Sequence, residues 1–105
     1  MSESMDTILK ELKVQGVALS SEAGEALDSA GNFDVETLCA VASVCAGQLR
    51  DIGNVLDAGR LERWYVVTEQ HAYYVSERAD SRIVAAGEAV KNAEATSKAL
   101  QRARR

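Results

Sequence analysis

"VQGVALSSEAGEALDSAG", residues Val14–Gly31, reads as a strand, a turn and a second strand. Val17 and Leu19 alternate with small or polar neighbours. The following "SSEAGE" is rich in turn formers and contains Gly24, which takes a positive φ without steric cost. "ALDSAG" then opens another extended piece. A hairpin is common in small domains, so the fold is decided by what flanks it.

Upstream, Met5–Lys13 is a short amphipathic helix with Met5, Ile8, Leu9 and Leu12 at i, i+3, i+4, i+7 and Ser4 as its N-cap. Downstream, Asp34–Leu56 reads as one long helix with Asp34 as N-cap and Thr37 where a capping box would place Glu or Gln. Val35, Leu38, Ala42, Cys45, Leu49, Ile52 and Leu56 form an unbroken apolar seam along it, widened by Val41, Val44 and Val55. The other side carries Glu36, Ala40, Ser43, Gly47, Arg50 and Asn54, with small residues at its centre. Glycine inside a helix costs about 1 kcal/mol relative to alanine, so close approach of another backbone at Gly47 is one expectation and simple tolerance the other.

Gly59 is expected to stop the long helix. Three extended segments follow: Leu61–Thr68, Ala72–Glu77 and Arg82–Gly87, with His71 in the first connecting turn. A closing helix runs from Glu88 to Ala103, with Val90, Ala93, Ser97 and Leu100 on one thin face and Arg102, Arg104 and Arg105 near its C-terminus. The order helix-strand-strand-helix-strand-strand-strand-helix predicts an α+β domain, an α/β/α sandwich on one mixed or antiparallel five-stranded sheet. The long helix should cover one face and the terminal helices the other.

Composition bounds the function. A chain of 105 residues is one domain, 1–105, with a core small enough that dimerisation would help it. A net charge of -4 disfavours nucleic acid as a partner. The apolar run Cys39–Gly47 is far short of the roughly 20 residues a membrane span needs, and the N-terminus does not read as a signal peptide. Cys39 and Cys45 point to different sides of one helix and cannot bridge each other; free small side chains and a cytoplasmic setting are expected.

No catalytic constellation, metal set or cofactor site is legible. His71 is the single histidine, and its spacing to the two cysteines matches no metal pattern. The glycines near the hairpin lack the Gly-Lys-Ser/Thr of a phosphate loop, so any nucleotide would be held by a partner. Trp64, Tyr65, Tyr73 and Tyr74 alternate across the sheet. Core packing is the expectation for Tyr73 and Tyr74. For Trp64 and Tyr65, a role at a dimer edge is as plausible, because their strand would otherwise be an exposed edge.

Four segments resemble the Roadblock family, known also from dynein light chains: "ILKELKVQGVALSSEAGEAL", "DVETLCAVASVCAGQLRDIGNVL", "LERWYVVTEQHAYYVSERADSRIVAAG" and "AVKNAEATSKALQRA". The resemblance covers nearly the whole chain and rests on pattern. It implies a non-enzymatic dimeric module, paired with itself or another Roadblock subunit, in which the third strands join two sheets and the long helices lie side by side. It implies a small Ras-like GTPase as partner, to be regulated or scaffolded. With the residue pattern, it puts Ala40, Ser43, Val44, Gly47, Leu61, Arg63, Trp64 and Tyr65 at the dimer interface. Glu36, Ser43, Arg50 and Asn54 are the candidate GTPase-facing surface. The alternative is a small-molecule sensing domain of a related α/β/α type, which would need a cavity with convergent polar groups; the small, apolar seam instead predicts solid packing.

Overall fold

A computed structural model describes residues 4–88 and 93–103. Its elements are α1 (Met5–Leu12), β1 (Gly16–Ser21), β2 (Ala26–Gly31), α2 (Val35–Val55), β3 (Arg63–Val67), β4 (His71–Glu77), β5 (Ser81–Glu88) and α3 (Ala93–Arg102). The order is the one the sequence predicts. Both expected caps form: Ser4 Oγ accepts from Thr7 N–H at 3.1 Å and Asp34 Oδ1 accepts from Thr37 N–H at 3.3 Å.

Three local expectations shift. His71 opens β4 rather than sitting in a turn. Glu88 ends β5 rather than opening the last helix, and Val90, Arg104 and Arg105 lie outside the described residues. Gly59 does not stop α2. The helix closes earlier, with Asp57 in the left-handed region at φ 53°, Asp57 N–H donating to Asn54 O and Ala58 N–H to Gly53 O. That is the paired 5→2 and 6→1 pattern of a Schellman motif.

All neighbouring strands are antiparallel, in the order β2-β1-β5-β4-β3. β2 and β3 are therefore the sheet edges. α1 and α3 share one face, where Met5, Ile8, Val17, Tyr74, Ile83 and Leu100 form the main core. α2 lies on the other, over Ala18, Val75 and Val84.

Here the seam expectation needs correction. The residues of α2 that are buried are Cys39, Ala42 and Ala46, whereas Ile52 is 55% exposed and Leu56 69% exposed. α2 packs chiefly against β2, β1 and β5. It covers only part of its sheet face, because its small contact row lets it sit down on that half and its larger residues project beside it.

The seating of α2 depends on a buried ion pair. Arg82 of β5 is 1% exposed and its Nε lies 3.2 Å from Glu77 Oε2, on a carboxylate only 8% exposed. Arg82 and Glu77 face each other across β5 and β4. Arg82 also donates to the carbonyls of Ser21 and Glu22 at 3.3 and 3.2 Å, and Trp64 Nε1 donates to Glu77 at 3.4 Å. Breaking one side of such a pair strands a buried charge. Arg82→Ala should therefore lower unfolding free energy by about 3–5 kcal/mol in urea titration, while Arg82→Met combined with Glu77→Leu loses much less. Equal losses in both variants would contradict this account.

Candidate interaction surface

The hairpin turn explains the small residues on the flank of α2. Gly24 has φ +95°, and a Cβ there would stand 3.0 Å from Ser43 Cβ and 3.2 Å from the Cys39 carbonyl oxygen. Ser43 Oγ donates to Glu22 O at 2.8 Å. Ala40 and Ser43 are thus small because the chain's own turn crosses them. A Cβ on Gly47 would meet nothing within 4 Å, so no contact among the described residues requires glycine there.

Beside α2, over β3 and β4, runs an apolar groove of about 630 Å³. Leu38, Val41 and Cys45 form its helical wall, and Trp64, Val66, Tyr73 and Val75 its floor. His71 lines one end. The expected solid packing is therefore incomplete on this side. Cys39, on the sheet-facing side of α2, is a free thiol pushed above its ordinary pKa by burial, partly offset by its hydrogen bond with Ser20. Cys45 is free and half-buried in the groove wall.

The strand that bounds the groove is the β3 edge. Its alternation is as expected: Trp64 faces the groove and Tyr65 the α3 side. Tyr74 is fully buried, with its ring centroid 6.1 Å from that of Tyr65, while Tyr73 is only half-buried. Arg63 does not extend over the edge. It reaches α3, with Nη2 2.8 Å from Glu94 Oε1 and Nη1 donating to Ser97 Oγ at 3.3 Å. Leu61 sits just before β3, in a shallow hollow it shares with Arg50, Asn54 and Arg60. Glu36, Arg50 and Asn54 are exposed, on the flank of α2 away from the groove; Ser43, on that flank, already donates to the turn.

The large apolar side chains left exposed are concentrated on two elements. Val41, Val44, Ile52 and Val55 are on α2, Leu56 caps it, and Tyr65, Val66 and Val67 are on β3; Leu27 on β2 stands apart. Val44 alone of the α2 group was an interface expectation. The periodicity places the others in a seam closed by the chain's own sheet, and the structure leaves them uncovered. Arg82 and Glu77 were missed, because buried charges inside a β-rich stretch look like ordinary turn-flanking residues in sequence.

No protein-family model matches the sequence, and no characterised protein matches it at the sequence level. Solved structures do. A Roadblock/LC7 domain from Streptomyces avermitilis superposes with TM-score 0.78 at 16% identity, covering 93% of this chain and 89% of that one. The chain has the Roadblock fold. Myxococcus xanthus MglB superposes with TM-score 0.74 at 14% identity, over 92% of this chain and 88% of its own. Another MglB structure, described as having a tetrameric arrangement, gives TM-score 0.76 at 17% identity over 93% and 82%. Identities this low establish the Roadblock fold alone. Among the described residues, no helix is long and apolar enough to cross a membrane, and no group of three or more His, Cys, Asp or Glu is placed to hold a metal.

At the β3 edge of this Roadblock fold, Glu94 ties two side chains. Arg63 first, and Tyr65 second, hold its carboxyl below the usual range. Glu94 in turn pushes the Tyr65 phenol up. A depressed carboxyl contributes stability above its unfolded pKa, about 4.3, and loses it as pH falls through the folded value. The Glu94 carboxyl should titrate below the ordinary glutamate value in carbon-detected NMR, and Arg63→Gln should move it back up. An unmoved Glu94 titration would show that the contact is not held in solution.

Proposed function

We propose that the chain is a non-enzymatic, self-associating adaptor of the Roadblock type that binds a small Ras-like GTPase and regulates or scaffolds it. The observation that carries self-association is the clustering of exposed apolar side chains on α2 and β3, on either side of an apolar groove. Contiguous apolar surface of that kind marks an interaction site, and an uncovered edge strand of β-formers is a liability unless paired. A standard interface buries about 1,600 Å² in total, and the groove with both elements offers a continuous surface for it. The tetrameric arrangement of one MglB structure is consistent with a fold that assembles through copies of itself.

The GTPase reading comes from the Roadblock resemblance. Two α2 helices side by side over a joined sheet present a two-fold platform, on which a single GTPase breaks the symmetry. One GTPase per dimer is therefore expected. Glu36, Arg50 and Asn54 are its polar candidates, with Ser43 contributing surface rather than a free hydroxyl. Val44 and Val55 add apolar area on the outward side of α2. Without a phosphate loop in its sequence, the chain acts on the partner's nucleotide only through contact.

A ligand-sensing role is the second reading, favoured by the size of the groove, which lies within the range of ligand pockets. Its exposed lining is mostly apolar, although Gln15, Asn32, Asp34, Thr37 and His71 also contribute to it, and that balance favours a protein occupant.

The test is to mix the chain with a Ras-like GTPase and follow both complex mass and GTP turnover. Glu36→Lys with Arg50→Glu should cut the association rate on the order of tenfold at low salt while the dimer mass stays unchanged. Capture at the wild-type rate would place the GTPase on another face. The chain alone should show no saturable GTP binding at micromolar concentration, and such binding would overturn the non-enzymatic reading.

A further inference from the structure

The α1 and α3 layer closes its face of the sheet except at one corner. Where α1 ends, beside the end of β5 and the side of α3, lies a hollow of about 310 Å³. It is separate from the groove beside α2 and lies on the opposite face of the sheet. Leu12 and Val14, both partly buried against the main core, line one side of it and Thr96 of α3 another. Tyr74 and Gly87 line it from the sheet, and exposed Lys13 stands at the rim.

Packing alone explains neither Tyr74 nor Gly87. Tyr74 is 1% exposed, and its hydroxyl is buried without a hydrogen-bond partner. An unpaired buried hydroxyl destabilises a fold, and phenylalanine would give the core the same ring without it. Thr96 lines the same hollow, yet the two hydroxyls do not bond each other. Gly87 lies inside β5, paired with Ala72 on the Tyr74 side of the sheet. Glycine inside a strand weakens it and marks a bulge, a bend or the close approach of something else. The register of β5 with β4 runs unbroken through Gly87, and its φ is not positive. A Cβ there would make only ordinary contact, 3.4 Å from Val14 Cγ1. Alanine would fit, so what glycine adds is open floor beneath the hollow.

We propose that this corner hollow binds a small carboxylate with a short apolar body. The carboxylate accepts from the hydroxyls of Tyr74 and Thr96 and is matched in charge by Lys13. The apolar body lies against Leu12 and Val14, over the bare Gly87. Neither the self-association reading nor the GTPase reading is needed for this site.

The chemistry of the lining selects an anion. Hydroxyl and ammonium donors face the hollow, and hydrogen bonds from such donors to a carboxylate are short and strong. Gln15 and Glu88 also border it. The Gln15 backbone is already committed, its N–H donating to Ala86 O at 2.8 Å and its carbonyl accepting from Asn32 N–H at 3.1 Å. Glu88 stands opposite His71, which lines the groove on the other face, so strand alternation sends the Glu88 carboxylate away from the hollow. The volume sits at the lower end of the range for ligand pockets, about 300–1,000 Å³. It therefore takes a free small molecule rather than a segment of chain.

Hexanoate and its uncharged counterpart hexanamide are the probes, titrated into the full chain and followed by residue-resolved NMR. Hexanoate should shift the signals of Leu12, Val14, Gly87 and Thr96 saturably, with a dissociation constant of about 1 mM or below. Hexanamide should bind about tenfold more weakly, and Lys13→Met should bring hexanoate down to that level. Tyr74→Phe should keep or raise the melting temperature, because it removes an unpaired group, while weakening hexanoate about tenfold. Gly87→Ala should fold normally and bind hexanoate more weakly, because its methyl fills the floor. That second variant keeps the test open if Tyr74→Phe disturbs the core. Tyr74→Phe and Gly87→Ala chains that both bind hexanoate as wild type does would overturn the proposal. So would the absence of any saturable shift up to about 10 mM hexanoate, which would leave the hollow to internal water. Shifts confined to Val41, Trp64 and Tyr73 would place the probe in the groove and overturn the corner site, while supporting the ligand-sensing reading of that groove.

Discussion

The backbone carbonyl of Glu22 accepts two hydrogen bonds, from Arg82 at 3.2 Å and from Ser43 at 2.8 Å. One oxygen thereby joins the turn of the β1–β2 hairpin to the central strand β5 and to the long helix. The Arg82 guanidinium is held in place by Glu77, so the position of the turn is set from inside the sheet. The turn then sets the helix, because Gly24 lies so close to Ala40 and Ser43 that no larger side chain fits between them. A buried charge is tolerated there because its donors are directed at carboxylate and carbonyl oxygens.

That seating has a consequence on the far flank of α2. A helix pinned towards β2, β1 and β5, touching the sheet with Cys39, Ala42 and Ala46, reaches Val75 of β4 but leaves the rest of β4 and most of β3 uncovered. Its larger side chains overhang a bare apolar floor. α3 contrasts with this: it packs against β4 and β3 on the opposite face, and Arg78 clamps its end by donating to the carbonyls of Gln101 and Ala103. Burial pushes the Arg78 guanidinium below its ordinary pKa, yet it stays charged because that ordinary value is so high. One face of the sheet is closed by the chain itself and the other is half open.

Much of this was legible in the sequence because local signals agree. Caps at Ser4 and Asp34, the turn around Gly24 and the aromatic alternation at Trp64 to Tyr65 all act within a few residues. The seam of α2 was misread for a reason periodicity cannot supply. Leu38, Cys45, Ile52 and Leu56 do form a stripe, but a stripe does not reveal whether its own sheet or another surface lies against it. The buried row is instead alanine and cysteine, whose small size signals close approach rather than exposure. The Arg82 and Glu77 pair was invisible because facing positions on two strands depend on register, which no local pattern fixes. The resemblance to the Roadblock family carried the fold at identities where residue-by-residue comparison carries little.

The functional account rests on one proposal: that the half-open face and its bare edge strand are closed by another copy of the chain. Residue-resolved amide hydrogen exchange over a range of protein concentrations addresses it directly. Trp64 and Val66 bond inward to β4 and should be protected at every concentration. The amides of Arg63, Tyr65 and Val67 should exchange freely at high dilution and become protected together as concentration rises. Free exchange of those three amides in a sample that sediments as a dimer would contradict the account.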